Sequence, residues 1–228
     1  MVLFYFYLFQ RSSKVVQKQI IIADDHAVVR TGLQMILDET PDLVISGEAR
    51  TGNELLEKLR AERFDLIVLD ISMPGRDAMD VLKEIKINWP ALPVVIFTMN
   101  PDEIYSLRMI RAGASAYINK ETRPAQIIEV LRLVAGGRKY FTALQSELLA
   151  EAVAQPDQSG TSVHESLSDR EFQVMFMLAS GLRKSEIAEK LQLSKNTVGN
   201  HRNNILKKMN LSTNSDITRY AIRHGIIQ

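Results

Sequence analysis

Five polar residues follow short apolar runs and would meet if those runs were neighbouring strands. Asp24 and Asp25 follow IIIA at 20–23, and Asp70 follows LIVL at 66–69. Thr98 follows VVIF at 94–97, and Lys120 stands just past the apolar stretch 116–118. Three crowded carboxylates repel one another, and a hard divalent cation with oxygen ligands relieves that repulsion. A hydroxyl and an ammonium complete a set suited to moving a phosphoryl group onto a carboxylate oxygen, with Asp70 as the nucleophile. Helix capping is the plainer alternative for Asp24 or Asp25. It does not account for five polar groups at the ends of four strands.

The elements that must position these groups are legible in the hydrophobic pattern. Runs at 20–23, 43–45, 66–69, 94–97 and 116–118 read as strands, most of them too short and too β-branched for buried helices. Helix-period segments lie at 27–37, 53–59, 78–87, 103–112 and 125–134. Five βα repeats with continuously apolar strands predict an α/β fold: a five-stranded, doubly wound parallel sheet with helices on both faces and right-handed crossovers. Ligands of such a sheet sit at the carboxyl ends of its strands.

The remainder of the 228 residues reads differently. A helix is expected over 144–153, then a polar linker over 154–165 containing Pro156 and Gly160. The tail predicts a second, smaller, all-α domain of four helices. Ser168 and Glu171 form a capping box for the first, which Gly181 ends. The second spans 184–191, Ser194 caps the third, and the fourth covers 215–224 and ends at Gly225. Two short helices about a tight turn at 191–194 are a helix-turn-helix signature.

Charge divides the chain in the same places. Residues 1–18 carry net +3; residues 19–166 carry 15 Lys and Arg against 22 Asp and Glu, net −7; residues 167–228 carry 10 against 5, net +5. An acidic body with a basic tail suits a regulatory domain joined to a nucleic-acid-binding one, with a solvated charge run as the plain alternative that charge alone leaves open; on the first reading, the contrast predicts that the body covers the DNA-reading face of the tail. The absence of cysteine excludes disulfides, thiolate metal sites and a cysteine nucleophile. Four scattered histidines make no zinc motif. The apolar run 2–9 is too short to span a membrane and lacks the flanks of a secretory signal. A surface anchor, a docked segment and a mis-assigned start remain open for it, the last being favoured; stable membrane insertion is not expected.

On these motifs the chain resembles the NarL/FixJ class of two-component response regulators. Residues 20–135 are similar to a flavodoxin-like receiver domain through IIADDH (21–26), LIVLDISMPG (66–75), FT (97–98) and AGASAYINK (112–120). Residues 167–228 resemble a LuxR-type helix-turn-helix through LSDRE (167–171), GLRKSEIAEKLQLSKNTV (181–198) and HRNNILKKMNL (201–211). The implied organisation is an extension at 1–18, a receiver at 19–140, a linker at 141–166 and a DNA-binding domain at 167–228. The resemblance implies that a sensor histidine kinase phosphorylates Asp70. Asp25, Asp70 and the carbonyl of Ser72 would hold Mg2+, with Asp24 helping through water. Thr98 and Lys120 would contact the phosphoryl group, and Tyr117 would be the aromatic that turns inward when Thr98 moves.

The same resemblance makes 195–209 the recognition helix, entering the major groove of double-stranded DNA by its amino end. Asn196, Thr197, Asn200 and Asn203 would face bases or phosphates, and Lys195, Arg202, Lys207 and Lys208 would supply charge. Val198, Ile205 and Leu206 read as core. Gly199 stands where lysine is common in the family, Asn214 where arginine is frequent, and Met99 where the residue is usually small. The whole implies a cytoplasmic transcription regulator, homodimeric when phosphorylated or DNA-bound, and not a metabolic enzyme. An aspartyl-phosphate phosphatase of the haloacid dehalogenase type is a poor rival, because it requires a second Asp where Ser72 stands. A phosphorylation-independent DNA-binding protein is the other rival; the complete acidic site argues against it.

Overall fold

The structure, a computed structural model, describes residues 16–99, 103–154, 163–191, 193–224 and 226–227. Most of the extension at 1–18, the linker residues 155–162 and the helix stop expected at Gly225 lie outside them.

Five strands alternate with five helices: β1 Lys18–Ala23, α1 Ala27–Asp38, β2 Leu43–Ala49, α2 Gly52–Ala61, β3 Leu66–Leu69, α3 Ala78–Asn88, β4 Val94–Thr98, α4 Glu103–Arg111, β5 Ala116–Asn119 and α5 Pro124–Ala135. The sheet order is β2-β1-β3-β4-β5, and every pairing is parallel. Alternation along each strand divides the core by face. Ile20, Ile22, Leu66, Val68, Val95 and Phe97 pack with α1 and α5. Ile21, Ala23, Ile67, Leu69, Val94 and Ile96 pack with α2, α3 and α4. With both faces covered, the strands need continuous apolar sequence.

β2 is longer than the apolar run 43–45 suggested. It is an edge strand, so its outer residues Gly47 and Glu48 need no apolar character; its register with β1 shifts between Ile20 and Ile21. A side chain at Gly47 would strike the Phe64 ring, 2.8 Å from the position of its Cβ.

Beyond the sheet, α6 spans Ala143–Ala154, and α7 Asp169–Ala179, α8 Lys184–Lys190, α9 Lys195–Lys208 and α10 Asn214–Arg223 make the C-terminal domain. The expected capping box is present: the Glu171 amide donates to Ser168 Oγ at 3.3 Å, and the Ser168 amide donates to Glu171 Oε2 at 2.8 Å. Gly181 takes a positive φ of 87°, the left-handed stop that glycine permits. Ser194 caps α9 by accepting from the Thr197 amide at 3.0 Å.

The polar linker ends earlier than its composition suggests. Val163–Ser166 form a 3-10 turn, and His164 is buried against Phe172, with its Nδ1 3.0 Å from the Tyr220 hydroxyl. Composition hid this turn, because the buried His164 is itself polar.

Candidate functional site

Parallel pairing brings the five predicted polar groups to one edge. The Asp70 amide donates to the Ala23 carbonyl at 2.9 Å, and the Lys120 amide donates to the Thr98 carbonyl at 2.8 Å. These ladder bonds hold β1 level with β3 and β4 level with β5, so the residues just past each strand lie side by side. Asp24, Asp70 and Thr98 are buried.

Lys120 links the acids. Its Nζ lies 2.6 Å from Asp24 Oδ2 and 2.9 Å from Asp70 Oδ2. The Ser72 amide donates to Asp70 Oδ1 at 3.2 Å. His26 closes the rim: its amide donates to Asp24 Oδ1 at 2.8 Å, and its Nδ1 is 3.0 Å from Asp25 Oδ1. Burial, reinforced by the charge of Asp24, pushes the Asp70 carboxyl above the usual range despite the attraction of Lys120. Burial disfavours the Lys120 ammonium, but the charges of Asp70 and Asp24 outweigh it and hold the lysine above its ordinary value.

One ammonium thus bridges two buried carboxylates, with a third, Asp25, beside them. Asp24, Asp25, His26 and Asp70 each offer a ligand atom, all within 4.8 Å of one another. Such a carboxylate-rich, oxygen-dominated donor set fits a hard divalent cation such as Mg2+.

Arg30 escaped the sequence reading. It is buried, donates from Nη1 to the Asp24 carbonyl at 2.8 Å, and pairs through Nε with Glu48 at 2.6 Å. Its signal was present: Arg30, Leu33 and Leu37 fall on one stripe of α1, and a charge in a buried stripe needs a partner. Tyr117 is buried with Tyr105 and Met109 of α4, so its ring already lies inward.

The second predicted site is α9. Lys195, Asn196, Asn200, Asn203 and Lys207 are exposed, Thr197 and Arg202 half-buried, and Val198 and Ile205 buried. Thr197 Oγ1 lies 2.8 Å from Ser194 Oγ. Arg202 donates to Asn214 Oδ1 at 2.6 Å, and Lys208 turns to Glu171 Oε2 at 2.6 Å. Gly199 faces open space, with only Lys184 Nζ near, 3.9 Å from where its Cβ would stand.

Charge contrast does not decide how the two halves meet. α4 and α7 make the contact instead. Tyr105 stacks on Phe172, the Arg108 guanidinium lies 4.8 Å above the Phe172 ring, and Arg108 donates to the Leu167 carbonyl at 2.8 Å. Gln173 donates to the Tyr105 hydroxyl at 3.1 Å. The expectation that the receiver covers the DNA-reading face is therefore corrected: α7 and the end of α8 face the sheet edge, leaving the outer face of α9 open. Short-range apolar contact outweighs a net-charge difference that salt screens.

Two family descriptions match. Residues 20–132 match the response regulator receiver domain, and residues 165–221 match the luxR family of bacterial regulatory proteins. The chain belongs to the NarL/FixJ class of response regulators. It is 34% identical over 216 residues to the oxygen regulatory protein NreC of Staphylococcus epidermidis, covering 92% of this chain and 99% of that one. It is 30% identical over 207 residues to the response regulator UvrY of Escherichia coli O6:H1, covering 91% and 94%. Among solved structures, RcsB of Salmonella typhimurium shares the fold at TM-score 0.62 and 24% identity, covering 91% of this chain and 98% of that one. This response regulator therefore joins a receiver to a LuxR-type DNA-binding domain and regulates transcription; it is not a metabolic enzyme. Among the described residues no helix is long and apolar enough to cross a membrane.

Proposed function

We propose that Asp70 is the phosphoryl acceptor of a histidine kinase and that its phosphorylation controls DNA binding by α9. The observation that carries this reading is Lys120 bridging Asp24 and Asp70 at the joined ends of β1, β3 and β5. In the transfer, an Asp70 carboxylate oxygen forms a bond to phosphorus as the bond from phosphorus to the donor imidazole nitrogen breaks. Lys120 holds a positive charge where the phosphoryl oxygens arrive, and Thr98, at the end of β4, offers them a hydroxyl. Asp25, Asp70 and the Ser72 carbonyl would hold Mg2+, with Asp24 acting through water; when bound, the ion neutralises charge on the transferring group. The aspartyl phosphate adds charge and acceptor oxygens that draw on Thr98 and Lys120, biasing α4.

The reading divides the chain into a receiver at 19–140 and a DNA-binding domain at 167–228. It places the protein in the cytoplasm, where its kinase and DNA are reached. A homodimer would use exposed apolar surface such as Ile222 on α10, which is 56% exposed. On α9, Lys195, Asn196, Asn200, Asn203 and Lys207 would contact DNA directly; Lys208 would first have to leave Glu171. The test is Asp70→Asn. The variant should fold normally and take up no acid-labile phosphate from a small phosphodonor with Mg2+; uptake at the wild-type rate would refute the assignment.

A further inference from the structure

His26 has no part in the metal set that the resemblance implies, yet it stands against that set. It follows Asp24 and Asp25 directly, and the bond from its amide to Asp24 Oδ1, at 2.8 Å, ties its backbone to the cluster. Its Nδ1 then lies 3.0 Å from Asp25 Oδ1 and 3.3 Å from Asp24 Oδ1. Lys120 takes different oxygens, Asp24 Oδ2 and Asp70 Oδ2. The imidazole and the ammonium therefore do not compete for one place. With the ligand atoms of Asp24, Asp25, His26 and Asp70 all within 4.8 Å of one another, a single ion could draw on all four residues. The imidazole is 61% exposed, so it closes the cluster from the solvent side and meets an arriving ion first.

We propose that His26 is a metal ligand and that its nitrogen makes this centre select a borderline transition dication, such as Co2+, over Mg2+. The inference rests on the metal centre proposed above and adds an imidazole to its oxygen donors. Neighbouring donors each about 2.0–2.1 Å from an octahedral ion stand about 2.9–3.0 Å apart. The separation of His26 Nδ1 from Asp25 Oδ1 is of that size, and its separation from Asp24 Oδ1 is slightly longer. A hydrogen bond spans the same distance, so the two roles are told apart by chemistry. Mg2+ prefers oxygen and gives up its waters reluctantly, and an imidazole adds little to its binding. Co2+, Ni2+ and Zn2+ are suited by imidazole nitrogen, and gain from it. A histidine that only held Asp25 in place would serve every cation alike.

The experiment titrates the full-length chain, His26→Gln and Asp25→Asn with Mg2+ and with Co2+ by calorimetry. Glutamine keeps an N–H donor for Asp25 but offers no ring nitrogen. The component of binding that Asp25→Asn removes belongs to this centre, which sets aside ions held at His164, His201 or His224. That component should be tighter for Co2+ than for Mg2+ in the natural chain. His26→Gln should lower its Co2+ affinity by about 10–100-fold, the range over which groups around a metal commonly act, and its Mg2+ affinity by less than about threefold. A second readout does not depend on affinity: Mn2+ bound to the chain should show nitrogen hyperfine coupling in pulsed EPR, and Mn2+ bound to His26→Gln should show none. Equal losses for Co2+ and Mg2+ would make His26 a positioning residue for Asp25 and overturn the proposal. No loss for Co2+, or Mn2+ without nitrogen coupling in the natural chain, would overturn it too. If neither ion shows a component that depends on Asp25, the metal centre itself is refuted, and His26 as its ligand with it.

Discussion

Tyr105 of α4 stacks on Phe172 of α7, with ring centroids 6.1 Å apart and planes inclined by 22°. Both rings are buried, Tyr105 to 1% and Phe172 to 0% exposure, so each completes the core of its own domain and caps that of the other. The apolar residues of the α2–α4 face run without a break into those of the C-terminal domain. Two units that read as independent in the sequence are thus packed as one body along this seam.

This seam makes a prediction about stability. Tyr105→Ala should cost about 3–5 kcal/mol, the usual range for truncating a buried aromatic. It should also loosen α7, on the far side of the boundary. Hydrogen exchange read by mass spectrometry checks this: amides of α7 should lose protection in the variant, as should those of α4. Unchanged exchange in α7 would mean that the two cores are energetically separate.

Arg30 gives the second. Its bond to the Asp24 carbonyl is charge-assisted and buried, and its removal orphans an acceptor. Arg30→Met keeps much of the volume, and is expected to cost about 1.5–3 kcal/mol of stability. Because the backbone of Asp24 then lies free to shift, Mn2+ affinity measured by titration should fall as well, while Glu48→Gln, which leaves the carbonyl bond in place, should weaken it less. Equal losses for the two would assign the effect to the Arg30–Glu48 pair.

What the sequence disclosed and what it hid follow one physical line. Hydrophobic period fixed the helices and strands, and parallel topology alone put Asp24, Asp70, Thr98 and Lys120 at one edge, because strand ends are local and the sheet rule is general. Gly47 and Glu48 were hidden, since an edge strand does not need the apolar code. His164 was hidden because it is a polar residue buried in a polar stretch. The α4–α7 contact had no local signal at all. Tyr105 and Phe172 look like ordinary helix-face aromatics, and net charge suggested a different docking face from the one that apolar packing selects.

A pH dependence follows from α7 and α9. Burial would raise the Glu171 carboxyl, but the Lys208 ammonium and the Ser168 bonds outweigh it and hold it below its ordinary value of 4.5. A carboxylate depressed in the folded state stabilises it fully above the unfolded value and loses that contribution as pH falls through the folded one. The C-terminal domain should therefore weaken on acidification from about pH 5 downwards. Lys208→Met should reduce that slope and cost about 1–3 kcal/mol at neutral pH by leaving a buried carboxylate without its partner. Denaturant titration at several pH values decides it: an unchanged slope in Lys208→Met would dissociate the pair from the acid lability.

Gly199 carries the last prediction. It sits in the second turn of α9, and the place its Cβ would occupy makes no contact tighter than an ordinary one, so Gly199→Ala should stabilise the helix by up to about 1 kcal/mol. The nearest group is Lys184 Nζ, 3.9 Å from that place. Lys184 comes from the start of α8, and it sets a cation beside the position where this family commonly carries one. Replacing Gly199 by lysine would then add a second ammonium beside the first, and their repulsion should hold the gain in the salt dependence of DNA binding below about one unit of slope. Lys184→Ala should lower that slope by up to about one unit in the natural background, and Gly199→Lys should restore it. Binding titrations of the single and double variants at two salt concentrations read these slopes. If Lys184→Ala leaves the slope unchanged, the lysine does not reach the phosphates; if Gly199→Lys abolishes specific binding while raising that to random DNA, the glycine is there to let the helix backbone come close to a base step.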